Sequence, residues 1–346
     1  MIHRFSMLER ALLSMNVIPH PFVDAGAMMG LNHALAAAVR LGIVDHLGDA
    51  PRPASQIAGD AGLSEKGTTL VLDCLEALGY VARVDAGYAF TRRGRKYLAA
   101  GSKDGLRYFI QFCDWLQRGY VDLDETIRHG RRAAGSMIEA LGEREWELFS
   151  RAMIEISSTN VAEVTKLVPV PPGARALLDV GGAHGQYSIA LCERHPGLTA
   201  RVLDLAPVRR YADECIARHG AAARVSFVEG NFETEELPAG NDVVLAFNIV
   251  HGMDADGNRA LFAKAHRALR PGGVLAVLDQ VKGTGGSTQL ARATTSFMAL
   301  NLLHQASGTT YSHEELGDLA RDAGFARTRC KPLRSPGFAL VVCERR

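Results

Sequence analysis

No apolar run in this chain approaches the roughly 18 residues that would read as a membrane-spanning helix. The opening residues also lack the basic-then-apolar pattern of a secretory signal. These two absences predict a cytoplasmic protein with no membrane partner. The six cysteines are scattered, and no C-x-x-C pair, zinc spacing or disulfide framework can be drawn through them. Charge of one sign is lacking too, since 39 Lys plus Arg stand against 38 Asp plus Glu. A net charge of +1 gives no pull toward nucleic acid or a lipid surface. Internal repeats and low-complexity tracts are absent. Carboxylates with metal-ligand spacing are missing as well, so no metal is expected.

What is present is apolar residue in quantity, 47% of 346 residues. That suffices for a sizeable core, and the length predicts two domains. The most informative stretch is LLDVGGAHGQYS, residues 177–188. An apolar run leads to Asp179, then Gly181, Gly182 and Gly185, then Ile189, Ala190 and Leu191. The pattern predicts a buried strand, a glycine turn and a helix that starts at the turn. Glycines there let backbone approach a ligand, and a helix N-terminus offers free N–H groups. The spacing is not the G-x-G-x-x-G of dinucleotide dehydrogenases. It fits D-x-G-x-[GA]-x-G, a loop that holds the amino-acid part of S-adenosylmethionine, although such turns also occur for purely structural reasons.

Four more strands follow, each ending in a polar residue. ARVLDLAPV, 200–208, ends in Asp204, which at this distance from the glycines can accept hydrogen bonds from ribose hydroxyls or simply cap a helix. RVSFVEGNFE closes in Gly230, Asn231 and Phe232, an amide and a ring suited to an adenine. DVVLAFNIVHGMD carries Asn248 at the strand end and His251 just past it, and ALRPGGVLAVLDQV ends near Asp279. Strands alternating with helices predict an α/β, Rossmann-like domain whose ligands bind at the carboxyl ends of the strands.

The motifs DVGGAHG, LDLAPV, EGNF, NIVHGMD, ALRPGG and GTTYSHEEL…AGF carry a resemblance to a known family. The chain resembles the S-adenosylmethionine-dependent O-methyltransferases of the caffeate, acetylserotonin and hydroxyneurosporene type, from about residue 25 onward. The resemblance implies that Gly181, Gly182 and Gly185 line the methionine moiety. It places the ribose at Asp204, the adenine at Asn231 and Phe232, and Asn248 in the same cofactor site. It implies His251 as general base and Asp279 as the carboxylate that orients it, with S-adenosylhomocysteine as product. Four departures stand out. Ala183 replaces the usual middle glycine, Asn231 an Asp, and Met253 a frequent Trp. Thr310 stands where plant members carry a second catalytic Glu.

The first hundred residues read as a winged helix. GLNHALAAAVRLGIVDHL is an amphipathic helix, and ASQIAGDAG a short one ending at Gly62. Ser64 can cap LSEKGTTLVLDCLEALGY, in which Leu70, Leu75 and Leu78 are expected to share the apolar face. YVARVDAGYAFT reads as a hairpin turning at Asp85, Ala86 and Gly87. DNA binding is the rival function for such a module. Residues 25–100 hold 8 basic against 7 acidic side chains, a poor match to phosphate, and RRGRK at 92–96 reads as a solvated face. The resemblance implies a homodimer through this module. MLERALLSMNVI, with Leu8, Leu12, Leu13, Val17 and Ile18, is too short to fold alone and fits a partner surface.

The expected division is residues 1–103 for the all-α and winged-helix dimerisation part, 104–168 for a helical linker, and 169–346 for the catalytic domain. Pro169, Pro171 and Pro172 mark the last junction. Phe109, Phe112, Trp115, Trp146, Phe149 and Met153 fall at helical spacings within the linker. Most of these read equally as core. The resemblance implies that Phe112, Trp115 and Met153 line an acceptor pocket, with a second wall of Met298, Asn301 and His304 from TSFMALNLLHQ. Such a pocket suits a flat aromatic or polyketide-like small molecule. His184, inside the glycine loop, is expected to face solvent.

The expected chemistry is alignment of a nucleophilic oxygen with an electrophilic methyl group, helped by a base that takes the hydroxyl proton. Neutral histidine suits that task near pH 7. Two alternatives stay open at this level. One is methylation of carbon or nitrogen on the same fold. The other is use of S-adenosylmethionine for a rearrangement, decarboxylation or hydroxylation without methyl transfer. A purely structural His251 is the bland reading of that residue.

Overall fold

The structure is a computed structural model that describes residues 7–15, 17, 21–132, 135–284, 289–335 and 337–346. It separates into two compact units, Met1–Arg118 and Gly119–Arg346. The helical stretch 104–168 is thus divided between them.

In the first unit, α1 (Met7–Ser14) precedes α2 (Met28–Arg40), α3 (Ala54–Ala61) and α4 (Glu65–Leu78). A two-stranded antiparallel wing follows, β1 (Val81–Val84) and β2 (Gly87–Phe90), then α5 (Arg92–Leu98) and α6 (Arg107–Arg118). Helix α3 stops at Gly62, which adopts the left-handed conformation, and Ser64 accepts from Gly67 N–H to cap α4. The apolar face of α4 keeps Leu75 but takes Leu72 in place of the expected Leu70. Leu72 and Leu75 are buried, whereas Leu70 is 57% exposed. Positions 72 and 75 face Val39, Ile43 and Ile57 in one cluster, and Leu70 lies off that stripe. Leu8, Met29 and Leu41 are also exposed. Ile18 lies outside the described residues, as does the side chain of Leu13.

In the second unit, α7 (Leu123–His129), α8 (Glu143–Ser158) and α9 (Val161–Leu167) lead into an α/β layer. Its elements run β3 (Ala176–Val180), α10 (Gln186–Arg194), β4 (Thr199–Asp204), α11 (Arg209–Arg218), β5 (Val225–Glu229) and β6 (Asn241–Phe247). They continue through α12 (Ala255–Ala268), β7 (Leu269–Lys282), α13 (Gln289–Ala306), β8 (Tyr311–Ser312) and α14 (His313–Asp322) to β9 (Arg327–Pro332) and β10 (Phe338–Glu344). The strand order is β5-β4-β3-β6-β7-β10-β9, with β8 beside β7. Pairs among β5, β4, β3, β6 and β7 are parallel, and β10 runs antiparallel to both its neighbours.

Alternation places successive residues on opposite faces of this sheet. Leu178, Val180, Val244, Ala246, Leu275 and Val277 pack with α12 and α14. Leu177, Val243, Leu245, Ala276 and Leu278 pack with α9, α10 and α11. With both faces covered, the strands are apolar throughout. The chain leaves β3 in opposite directions along the sheet, to β4 first and later to β6. That reversal opens a crevice at the carboxyl ends of β3, β4 and β6.

Candidate active site

The glycine turn follows β3 and is built on Asp179, which is buried. Its Oδ2 accepts from the Ser188 hydroxyl at 2.7 Å, and its Oδ1 has no partner among the described residues. Burial pushes the Asp179 carboxyl up to about 7, against the Ser188 bond and with help from the Asp204 charge. A Cβ at Gly182 would lie 2.5 Å from the Asp179 Cγ, so only glycine lets the turn cross this carboxylate. Ala183 sits at φ +46°, a left-handed conformation uncommon for alanine. It is held there because its N–H donates to Asp204 Oδ2 at 2.8 Å. Gly181 and Gly185 are also left-handed, at φ +62° and +70°, and Gly185 N-caps α10.

Asp204 ends β4 opposite the turn. Its Oδ1 accepts from Leu205 N–H at 2.7 Å. Burial pushes its carboxyl up, against the Leu205 and Ala183 bonds, which favour the charge. Each oxygen retains acceptor capacity beyond its one backbone bond. Beside β5, Asn231 and Phe232 are partly buried. The Asn231 Oδ1 already accepts from Glu233 N–H at 2.9 Å, so its carbonyl shapes the loop it stands in. The Phe232 ring reaches the glycine turn, with Cε1 3.4 Å from where a Gly181 Cβ would stand. A cavity of about 280 Å³ is bounded by Phe232, Met253, Leu261 and Lys264. The Lys264 ammonium donates to the carbonyls of Phe232 and Glu233, both at 2.9 Å. Asn248 follows β6 at φ +56°, and its N–H donates to Leu278 O at 2.8 Å.

His251 and Asp279 are brought together by the parallel pairing of β6 with β7. The His251 Nδ1 lies 2.7 Å from Asp279 Oδ1, and the His251 backbone N–H donates to Oδ2 at 3.1 Å. Oδ1 also accepts from Gln280 N–H at 2.7 Å. A carboxylate so surrounded by donors is an acceptor, so Nδ1 carries the proton and Nε2 presents a lone pair. Burial pulls the imidazole down, but the Asp279 charge and hydrogen bond outweigh it and hold His251 above its ordinary value. The segment before β8 closes on this histidine from behind. Thr309 N–H donates to His251 O at 3.0 Å, and a Cβ at Gly308 would come within 1.9 Å of that oxygen. Thr310 is buried, and its hydroxyl has no partner among the described residues.

The acceptor-pocket candidates divide. Phe112 and Trp115 lie on α6 in the first unit and stack on each other, centroids 5.9 Å apart. Asn301 on α13 accepts from the Tyr120 hydroxyl at 2.6 Å and places its amide 3.8 Å from Met298 Sδ. Met153 is partly buried on α8. His304 is buried with both nitrogens engaged. Nε2 donates to Gly119 O at 2.7 Å, and Nδ1 accepts from the Thr126 hydroxyl at 2.8 Å. Its ring stacks on Tyr120 at 5.1 Å, so His304 braces α13 and has no nitrogen left for a ligand.

The solvent-facing expectation for His184 is overturned. The side chain is buried beside the Met153 carbonyl, and its Nδ1 accepts from Gln186 N–H at 3.1 Å. Lys264, Tyr120 and Gly308 were not singled out from the sequence. Lys264 stands alone on a helix face, and nothing in its neighbours signals the two carbonyls it meets. Gly308 lies in the motif GTTYS, and its tight approach to His251 is the one of the three that a glycine there could have suggested.

Comparison with known proteins gives the same architecture. Residues 119–326 match the family model of the O-methyltransferase domain, and residues 28–100 that of the O-methyltransferase dimerisation domain. The chain is 28% identical over 331 residues to 3-hydroxy-5-methyl-1-naphthoate 3-O-methyltransferase of Streptomyces sahachiroi, covering 94% of each. It is 29% identical to acetylserotonin O-methyltransferase of Rattus norvegicus, over 92% of this chain and 77% of that one. Among solved structures, mitomycin 7-O-methyltransferase superposes with a TM-score of 0.83 at 25% identity, over 99% of this chain and 100% of that chain. The turn after β3, the acid that ends β4 and the histidine–carboxylate pair thus stand in a chain that belongs to the O-methyltransferase family, with that family's dimerisation domain ahead of its catalytic one.

Proposed function

We propose that this chain transfers a methyl group from S-adenosylmethionine to a hydroxyl of an aromatic small molecule. The observation that carries the reading is the His251–Asp279 pair at the sheet's carboxyl edge, with Nε2 left as a free acceptor. When bound, S-adenosylmethionine supplies an electrophilic methyl group and a positive charge. The residues present fit it. The glycine turn lets backbone approach the methionine part, and the unpaired Asp179 oxygen beneath it suits a cation. Asp204 would accept from the ribose hydroxyls. Asn231, Phe232 and Asn248 would hold the adenosine, and Phe232 also bounds a cavity with Met253 and Lys264.

His251 Nε2 takes the proton of the acceptor hydroxyl as the oxygen is methylated. A phenol ionises near pH 10, so its oxygen gains from a base in reach at neutral pH. Asp279 keeps the ring in the tautomer this requires and stabilises the imidazolium that forms. Met153, Met298 and Asn301 supply apolar and amide surface for the acceptor. The naphthoate and acetylserotonin relatives support an aromatic acceptor. The dimerisation domain and the exposed Leu70, Met29 and Leu41 support a homodimer.

The test is incubation with S-adenosylmethionine and a panel of catechols, naphthols and anthraquinones, read by mass spectrometry for one added methyl on oxygen. His251→Ala is expected to slow turnover by about 10²- to 10⁴-fold with cofactor affinity kept. Chelators are expected to leave the rate unchanged. Wild-type speed in that variant would make His251 structural and the transfer one of alignment alone.

A further inference from the structure

The glycine turn is bonded to more than the sheet. Three residues at its far end reach the helices that precede β3. The His184 ring is buried beside the Met153 carbonyl of α8, and its Nδ1 accepts from Gln186 N–H at 3.1 Å. The Gln186 carboxamide accepts from the Ser157 hydroxyl and meets Ser158 Oγ at 3.4 Å. The Tyr187 hydroxyl donates to Asn160 Oδ1 at 2.7 Å. On its near side the turn is fixed by Ala183 N–H on Asp204. One short segment therefore has its near end on the ribose-side carboxylate and its far end on the last turns of α8. His184 is the hub, since its ring stands out of solvent between Gln186 N–H and the Met153 carbonyl. Burial pushes its imidazole down to about 4, which keeps it neutral and preserves the donor–acceptor split at physiological pH.

We infer that His184 is a positioning residue that ties the cofactor turn to the part of α8 carrying Met153, so that filling the cofactor site fixes that stretch of helix. The inference rests on the cofactor reading above. Its physical content is a coupling between two ligand surfaces through three hydrogen-bonded residues, and coupling of this kind is reciprocal. The cofactor orders the helix, and an ordered helix holds the turn. An acceptor that touches Met153 then meets a surface already set in place, which removes an ordering cost from the bimolecular step.

The experiment uses the full chain and S-adenosylhomocysteine as probe. Hydrogen exchange at the amides of residues 153–158 is followed by mass spectrometry with and without the probe, and affinity is read by calorimetry on the same samples. In the wild type, the probe is expected to slow exchange there by about fivefold or more, the lower end of ordinary coupling between sites. His184→Ala is expected to bind the probe and lose that slowing. His184→Gln is expected to restore it, because a carboxamide offers an acceptor and a donor at a spacing close to that of the two imidazole nitrogens. If His184→Ala does not fold, the Ser157→Ala, Ser158→Ala pair removes the neighbouring tether without touching the turn and is expected to lose part of the slowing. Full slowing in either variant overturns the inference, as does a wild type that binds the probe with α8 unaffected. A wild type that does not bind the probe overturns this inference together with the function on which it rests.

Discussion

Replacing Asp279 by Asn tests the dyad without changing its shape. In the native arrangement Oδ1 accepts from His251 Nδ1 and Gln280 N–H, and Oδ2 accepts from His251 N–H. An asparagine can be placed in two ways. With its oxygen in the Oδ1 position, the ring keeps its tautomer, but an NH₂ faces the His251 backbone N–H across 3.1 Å. With the amide reversed, the NH₂ faces both Nδ1 and the Gln280 N–H, and the ring must hold its proton on Nε2, where it cannot act as a base. The first placement is the cheaper. It loses a charge-assisted bond of about 1.5–3 kcal/mol, or roughly 10- to 100-fold in rate. A sharper signature is the pH profile. The base must be neutral, so the wild-type rate climbs with pH through an inflection above 6.5, the ordinary histidine value. Removing the Asp279 charge leaves burial, which pulls the other way. The lost interaction therefore moves the acid limb down in pH. The assay is kcat/KM across pH for the best acceptor of the panel. An acid limb that stays put, or moves up, refutes the assignment of that limb to His251. Stability follows the same linkage. A folded-state value raised above the unfolded one contributes stability below pH 6.5 that is lost as pH rises through the folded value, and this slope should flatten in Asp279→Asn.

Three further outcomes are expected. Asp204→Ala should weaken S-adenosylhomocysteine by two hydrogen bonds of about 0.5–1.5 kcal/mol each, and unchanged affinity by calorimetry would remove Asp204 from the site. Gly308→Ala drives a methyl group against the His251 carbonyl; kcat should fall while probe affinity holds, and a wild-type kcat would show that the segment yields without moving the base. Leu70→Asp combined with Met29→Asp should lower the light-scattering mass of a dimer toward that of one chain at micromolar concentration, since both side chains are mostly exposed in the isolated chain; an unaltered mass places the interface elsewhere.

The parts of this molecule that were legible in the sequence are those set by short-range pattern. The turn after β3 follows from three glycines and an acid at fixed spacing, because no other residue type could cross Asp179 at Gly182. Asp204 was legible because it ends an apolar run. Side chains whose surroundings come from distant segments were not. His184 looks like a loop residue in its own stretch, and its burial is decided by α8, about thirty residues earlier. His304 looked available until Thr126 and Gly119, nearly two hundred residues away, were seen to hold both nitrogens. On α4, a helical stripe admits more than one setting, and the cluster around Ile43 and Ile57 chose Leu72 where the pattern suggested Leu70. Beyond the fifth strand the apolar pattern gives out at β9. The segment RTRCKP of β9 is mostly polar and mostly exposed, and its antiparallel pairing with β10 makes it a strand.

That partner strand bears on how the enzyme comes into being. Strand β7 carries Asp279, and over that stretch it has β6 on one edge and β10 on the other, with Asp279 opposite Ala339. In chain order β10 follows every other strand of the sheet. During synthesis, β7 therefore waits with an apolar edge of unpaired N–H and C=O groups, the kind of edge that recruits other chains. The carboxylate that steadies the base gains its full support only when that late strand slots between β7 and β9. A nascent or clipped chain without residues 338–344 is then prone to aggregate and short of a working base, so methylating capacity and a closed sheet arrive together.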